Sequence, residues 1–259
     1  MSQEFWYPEL DPCGEKVLCE QNGQACHMLM DIYVQHMVPK QETVVCNFLS
    51  ETAFLLVEGK VTISWDDREE TVERHSFISD GPYCLHVSKG VTVRIFAHAD
   101  SEVLVQATEN ENEFPPVFYR PEDCRDDIFG LDVFENKMKR TVRTVFDYKN
   151  APYSNMVLGE VVNHQGGWSS YTPHHHPQPE VYYYRFERPE GFGACFIDDN
   201  VYKIADGSCA TIPGGKTHPQ VTAPAFPMYY VWMIRHLPGN PWQDRVVDPR
   251  YTWIDARMK

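Results

Sequence analysis

The sequence has no run of about 18 consecutive apolar residues, so no membrane-spanning helix is expected. Its opening, MSQEFWYPELDPCGEK, lacks a basic segment followed by an apolar one, so no secretory signal is read and a cytoplasmic location is expected. Positive charge is scarce: 23 Lys and Arg stand against 37 Asp and Glu, a net charge of −14. Such a field repels phosphate backbones and argues against nucleic acid as a partner. The eight cysteines include no C-x-x-C pair. In a chain of 259 residues they are expected to be reduced and mostly buried, not a disulfide framework. The 19 prolines and 15 glycines are scattered, which excludes collagen-like and low-complexity structure. Helical periodicity is rare, and one or two helical turns are expected only near Pro121–Phe129 (PEDCRDDIF).

What the chain has instead is short segments rich in Val, Ile, Tyr, Phe and Thr, bounded by Gly, Pro, Asp and Asn. Ala53–Trp65, Gly90–Ala97, Glu102–Ala107, Met156–Val162, Val181–Phe186 and Pro227–Ile234 read as strands. Evenly spaced short strands predict an all-β sandwich or barrel. A weak internal repeat sets Gly59 and His86 of the first half beside Gly193 and His218 of the second. The stretch from about Thr108 to Lys139 reads as a connector.

Two motifs carry chemistry. In PHHHPQPE, at 173–180, strand alternation sends His174 and His176 to one face, and His175 to the other. A bend at Pro177 and Pro179 can return the Glu180 carboxylate to those rings. In GSCATIPGGKTH, at 207–218, a strand ends at Pro213, turns through Gly214–Gly215, and the chain re-extends at His218.

Together, H-x-H-x3-E and G-x5-P-x-G-x2-H resemble the two halves of the cupin metal motif. The resemblance implies a jelly-roll barrel with one divalent ion held by His174, His176, Glu180 and His218. Imidazole and carboxylate donors suit Zn, Mn, Fe or Ni and leave the identity open. Over the whole chain the layout resembles a bicupin. The expected division is an N-terminal domain at 1–125, degenerate and without metal, and a metal-bearing domain at 126–259.

A closer resemblance is to the 5-deoxy-glucuronate isomerase family of myo-inositol catabolism, related to 4-deoxy-L-threo-5-hexosulose-uronate ketol-isomerases. It rests on KRTV at 139–142, GGWSSYTPHHH at 166–176, EVYYYRF at 180–186, GFG at 191–193, IPGGKTHP at 212–219 and MYYVWMI at 228–234. The sequence departs from the family in the short Pro177-Gln178-Pro179 link before Glu180, where members carry a longer acidic insert. The family implies aldose–ketose isomerisation of a deoxy-uronic acid and so a small sugar-acid partner; a homo-oligomer is expected because closed symmetric assemblies are common. Strand alternation then points Tyr182 and Tyr184 inward as candidate acids or hydrogen-bond donors. Counted from His218, it points Lys216 and Gln220 inward, Lys216 as the catalytic cation. Arg185 and Arg235 are reserve groups for the substrate carboxylate. No residue singles itself out as the base. A cupin dioxygenase and a non-catalytic sugar-acid-binding cupin are the competing readings.

Overall fold

The computed structural model describes residues 4–257. All six predicted segments are strands, at Ser50–Trp65, Thr92–Ala97, Ser101–Glu109, Met156–Asn163, Glu180–Arg185 and Met228–Arg235. The two halves repeat one plan. In the first, Ser50–Trp65 lies between Tyr83–Val87 and Ser101–Glu109, then forms a hairpin with Arg68–Arg74 and pairs with Thr92–Ala97. In the second the long strand is split. Glu180–Arg185 lies between Cys209–Ile212 and Met228–Arg235, while Phe192–Ile197 forms a hairpin with Asn200–Ala205 and pairs with Gln220–Thr222.

Three cores follow from alternation on these strands. On Met228–Arg235, Tyr230, Trp232 and Ile234 enter the second barrel, while Tyr229, Val231 and Met233 enter a core between the halves. On Ser50–Trp65, Phe54 and Leu56 fill the first barrel, and Ala53, Leu55 and Val57 join the shared core. Strands buried on both faces read as continuous apolar runs, which is why FLLV and MYYVWMI show no polar alternation. The shared core holds a buried ion pair: Arg74 donates to both Glu160 oxygens, at 2.6 and 2.9 Å, and the Tyr229 hydroxyl donates to the same carboxylate at 2.5 Å.

The register corrects the repeat. Gly215 (φ 88°) and Gly90 (φ 81°) occupy matching turns, after Cys209–Ile212 and Tyr83–Val87. The third residue beyond each is His218 in one half and Val93 in the other. Glu180 faces Ile212, and Thr52 faces Val87. His86 belongs to Tyr83–Val87, so its counterpart lies on Cys209–Ile212 and is not His218. It is buried against Glu51 (2.9 Å) and stacks on Phe146 at 4.3 Å.

The predicted helical turns are a single 3-10 turn, Pro121–Asp123, followed by the strand Arg125–Phe129. The expected connector therefore extends a sheet of each half: Val117–Tyr119 pairs with Tyr83–Val87, and Arg125–Phe129 with Arg140–Phe146. Phe5–Trp6 crosses over to pair with Cys209–Ile212 of the second half. All eight cysteines are unpaired; four are buried (Cys19, Cys84, Cys195, Cys209), while Cys13 and Cys26 are exposed. Among the described residues no helix is long and apolar enough to cross a membrane.

Candidate functional site

Prolines 173, 177 and 179 deny the histidine segment a helix and extend it. His174–His175 pairs with Val246–Val247, which seats the His174 ring inward, while His175 is half-buried. The second motif docks directly on the first. Gly215 donates its N–H to the His176 carbonyl at 2.8 Å. A Cβ at Gly214 would lie 1.9 Å from the Pro177 carbonyl oxygen, so only glycine permits this approach. Gly214→Ala is therefore expected to cost about 1–3 kcal/mol, as overpacking of a tight contact does. Thermal denaturation checks it, and an unchanged melting temperature contradicts the docking role.

The docking brings three side chains together. The nearest donor atoms of His176, Glu180 and His218 all lie within 4.8 Å of one another, and all three residues are buried. The Nε2 atoms of His176 and His218 lie 3.1 and 3.2 Å from Glu180 Oε2. His174 stands outside that cluster, but its ring centroid is 4.8 Å from that of His218. Each ring is oriented through Nδ1, which donates to a backbone carbonyl: His174 to Thr172 (2.7 Å), His176 to Gln178 (2.9 Å), His218 to Lys216 (2.9 Å). In the neutral rings Nε2 is then a bare lone pair.

Two such lone pairs against one carboxylate oxygen repel unless positive charge lies between them. Burial works against charge at Glu180, yet hydrogen bonds from His176 and His218 outweigh it and bring its pKa down to about 2. Burial likewise opposes charge on His218, but Glu180 prevails and raises it. Burial and the neighbouring His218 hold His174 well below the usual imidazole range. A proton or a divalent cation satisfies this arrangement, and the carbonyl-oriented rings are the pattern that metal-ligating histidines show.

The cluster opens on a cavity of about 650 Å³, whose wall includes His174, His176, Glu180, Tyr182, Tyr230 and Trp242. The phenols of Tyr182 and Tyr230 line it, each paired with a serine hydroxyl: Ser170 with Tyr182 at 3.1 Å and Ser169, behind the wall, with Tyr230 at 2.5 Å. Burial raises the Tyr182 pKa far above the usual range and that of Tyr230 to about 12, so both phenols stay protonated.

Known proteins resemble this chain in sequence and in fold. The model of the KduI/IolB family fits residues 7–254. The chain belongs to the KduI/IolB family. Among its relatives within that family are proteins of Bacillus licheniformis and Bacillus subtilis (strain 168) named 5-deoxy-glucuronate isomerase. Each is 26% identical over 227 residues, covering 80% of this chain and 80% of theirs. An IolB-like protein of Salmonella typhimurium has a TM-score of 0.87 at 18% identity, over 98% of this chain and 99% of that one. The oxalate decarboxylase of Lactobacillus farciminis reaches 0.70 at 12% identity, over 97% and 90%. These likenesses show the fold: an all-β bicupin. This KduI/IolB chain is an enzyme of the isomerase class.

Several sequence expectations are relocated. Lys216 does not reach the cavity: its ammonium pairs with Asp198 at 2.6 Å, and its side chain is 39% exposed. Alternation counted back from His218 fails because 216–219 is not strand; the strand is Gln220–Thr222. Lys216→Met is expected to leave metal content and turnover within about twofold, as surface changes usually do; a larger loss of turnover returns Lys216 to the site. Arg185 faces away from the cavity, bridging Glu102 (2.5 Å) and Asp206 (2.8 Å). Arg235 is engaged by the carbonyls of Asn155 and His236, and does not line the cavity. Tyr184 is fully buried beside Cys195, behind Tyr182. Gln220 supports the wall indirectly, donating to Ser170 at 3.2 Å. Missed altogether were Arg140, Tyr230 and Arg245, all cavity residues. Their sole signal lay in the KRTV and MYYVWMI segments of the family resemblance, which mark no roles, and Arg245 had none.

Proposed function

We propose that the protein is a metal-dependent aldose–ketose isomerase acting on a deoxy-uronic acid, with 5-deoxy-glucuronate, the substrate named for its relatives, as the leading candidate. The buried His176–Glu180–His218 cluster, facing a cavity in a KduI/IolB chain, carries this reading. His174 is assigned as the fourth ligand, its oriented ring lying against His218.

Isomerisation moves a proton between adjacent carbons while charge develops on the neighbouring oxygens. A bound divalent cation supplies the Lewis-acid charge that favours this. The chain's own part is to orient and to exclude water. Tyr182 and Tyr230, protonated and backed by serine hydroxyls, offer hydrogen bonds to substrate oxygens. Trp232 and Trp242 close the apolar wall.

The first barrel is assigned no metal, because Thr52 and Val93 stand in register where Glu180 and His218 stand in the second. Elemental analysis should therefore find one divalent ion per chain; two would defeat that assignment. The decisive experiment is NMR of 5-deoxy-glucuronate with the metal-loaded protein, alongside an oxygen electrode. Interconversion without oxygen uptake is expected. Binding without interconversion, or uptake of oxygen, overturns the isomerase reading.

A further inference from the structure

We propose that Arg140, with Arg245 beside it, is the anchor for the substrate's carboxylate and the residue that makes this cavity select sugar acids over neutral sugars. The proposal rests on the isomerase reading for its substrate, and on the following geometry for its site.

Three arginines are buried among the described residues: Arg74, Arg140 and Arg143. Arg74 and Arg143 both face Glu160, at 2.6 and 3.7 Å. Arg140, 3% exposed, faces no carboxylate among the described residues. Its Nη1 donates to the Met138 carbonyl at 2.9 Å and its Nη2 to the Tyr171 carbonyl at 2.8 Å, and its guanidinium lies 5.6 Å from the Phe129 ring centroid. Neutral carbonyls hold the group in place without cancelling its charge. Only two of its five N–H donors are used by them.

A buried charge without a counterion is costly, and proteins retain one where something else compensates. Asp127, Asp147, Glu180 and Asp244 also line this cavity, but among the described residues none of them forms an ion pair with Arg140. Arg140 lines the same cavity as His174, His176 and Glu180, so a bound molecule spanning the cavity meets both. Arg245 lines it too, its guanidinium 3.6 Å from the Asp255 carboxylate. Arg125, also in the lining, is already matched by Asp147 at 2.5 Å. Burial, with Arg245 adding to it, lowers the Arg140 pKa to about 10, consistent with a cation still wanting an anion. A planar fork of donors fits a carboxylate in a way a neutral hydroxymethyl group does not.

The test uses Arg140→Met and Arg140→Lys in the full-length protein. With 5-deoxy-glucuronate, Arg140→Met should raise KM about 10–150-fold, the range for losing hydrogen bonds to a charged group. kcat should change less, and Arg140→Lys should recover part of the loss. Unchanged KM in both variants of an active enzyme overturns the anchor and leaves the isomerase reading standing. A readout independent of turnover is the thermal shift by D-glucuronate against D-glucose. Wild type should be stabilised by glucuronate alone, and Arg140→Met by neither. If wild type isomerises no sugar acid, the isomerase reading fails and the thermal shift decides the anchor by itself. Equal glucuronate shifts in wild type and Arg140→Met, or none in wild type, overturn it. Should Arg140→Met fail to fold, Arg140→Lys and Arg245→Gln carry the same measurements, and wild-type behaviour in both defeats the proposal.

Discussion

His176→Ala and His218→Ala should each strip the protein of its divalent ion, from one per chain to below about a tenth after dialysis. Removing a group that merely orients a ligand typically costs 10–100-fold in metal affinity, and removing a ligand itself costs more. The structure sharpens this expectation, because the two rings share one oxygen of Glu180, at 3.1 and 3.2 Å. Loss of either ring leaves a buried carboxylate with half its partners. His174→Ala should weaken retention by at least about 10-fold, as fits a ligand set back from the central three. Elemental analysis of the dialysed variants measures all of this, with circular dichroism to confirm the fold. Wild-type metal content in both His176→Ala and His218→Ala would refute the cluster as a metal centre.

The second large effect lies away from the cavity. Arg74→Met should destabilise the protein by about 3–5 kcal/mol, the usual consequence of leaving one member of a buried ion pair alone. Glu160 is fully buried and would keep the Tyr229 hydroxyl at 2.5 Å, but its remaining cation, Arg143, stands at 3.7 Å, beyond hydrogen-bond reach. At roughly 2–4 °C per kcal/mol for a chain of this size, the melting temperature should fall by about 10 °C. Because Arg74 comes from the first half and Glu160 from the second, the loss is felt where the two barrels join. Arg74→Met combined with Glu160→Leu should regain a good part of it, since a matched apolar pair can replace a buried salt bridge. A single variant melting within 2 °C of wild type would show that the pair contributes little. Metal content should be unaffected while the variant remains folded, which separates this effect from that of the histidines.

Much of the architecture was legible locally. Segments such as Met156–Asn163 and Met228–Arg235 announce strands through β-branched and aromatic content, and their lack of polar alternation reflects burial on both faces. The histidine motif was legible for a related reason: alternation over three residues suffices to place His174 and His176 on one face. The strand Arg125–Phe129 was not, because its five residues are all exposed and RDDIF has neither alternation nor apolar density. The repeat was misaligned for lack of register, since matching glycines and histidines along the sequence ignores loops of unequal length.

The sequence by itself determined an all-β chain and singled out His176, Glu180 and His218, which the fold gathers into one buried cluster, because both depend on residue type and on spacing within a few positions. Tertiary structure decided which charged side chains meet the cavity beside that cluster. Strand parity tells only that neighbours point opposite ways; the folded sheets decide which way is inside, and a break in the strand resets the count. That is why Lys216 ended at the surface with Asp198, Arg185 in a bridge between the halves, and Arg140 at the cavity with no counterion among the described residues.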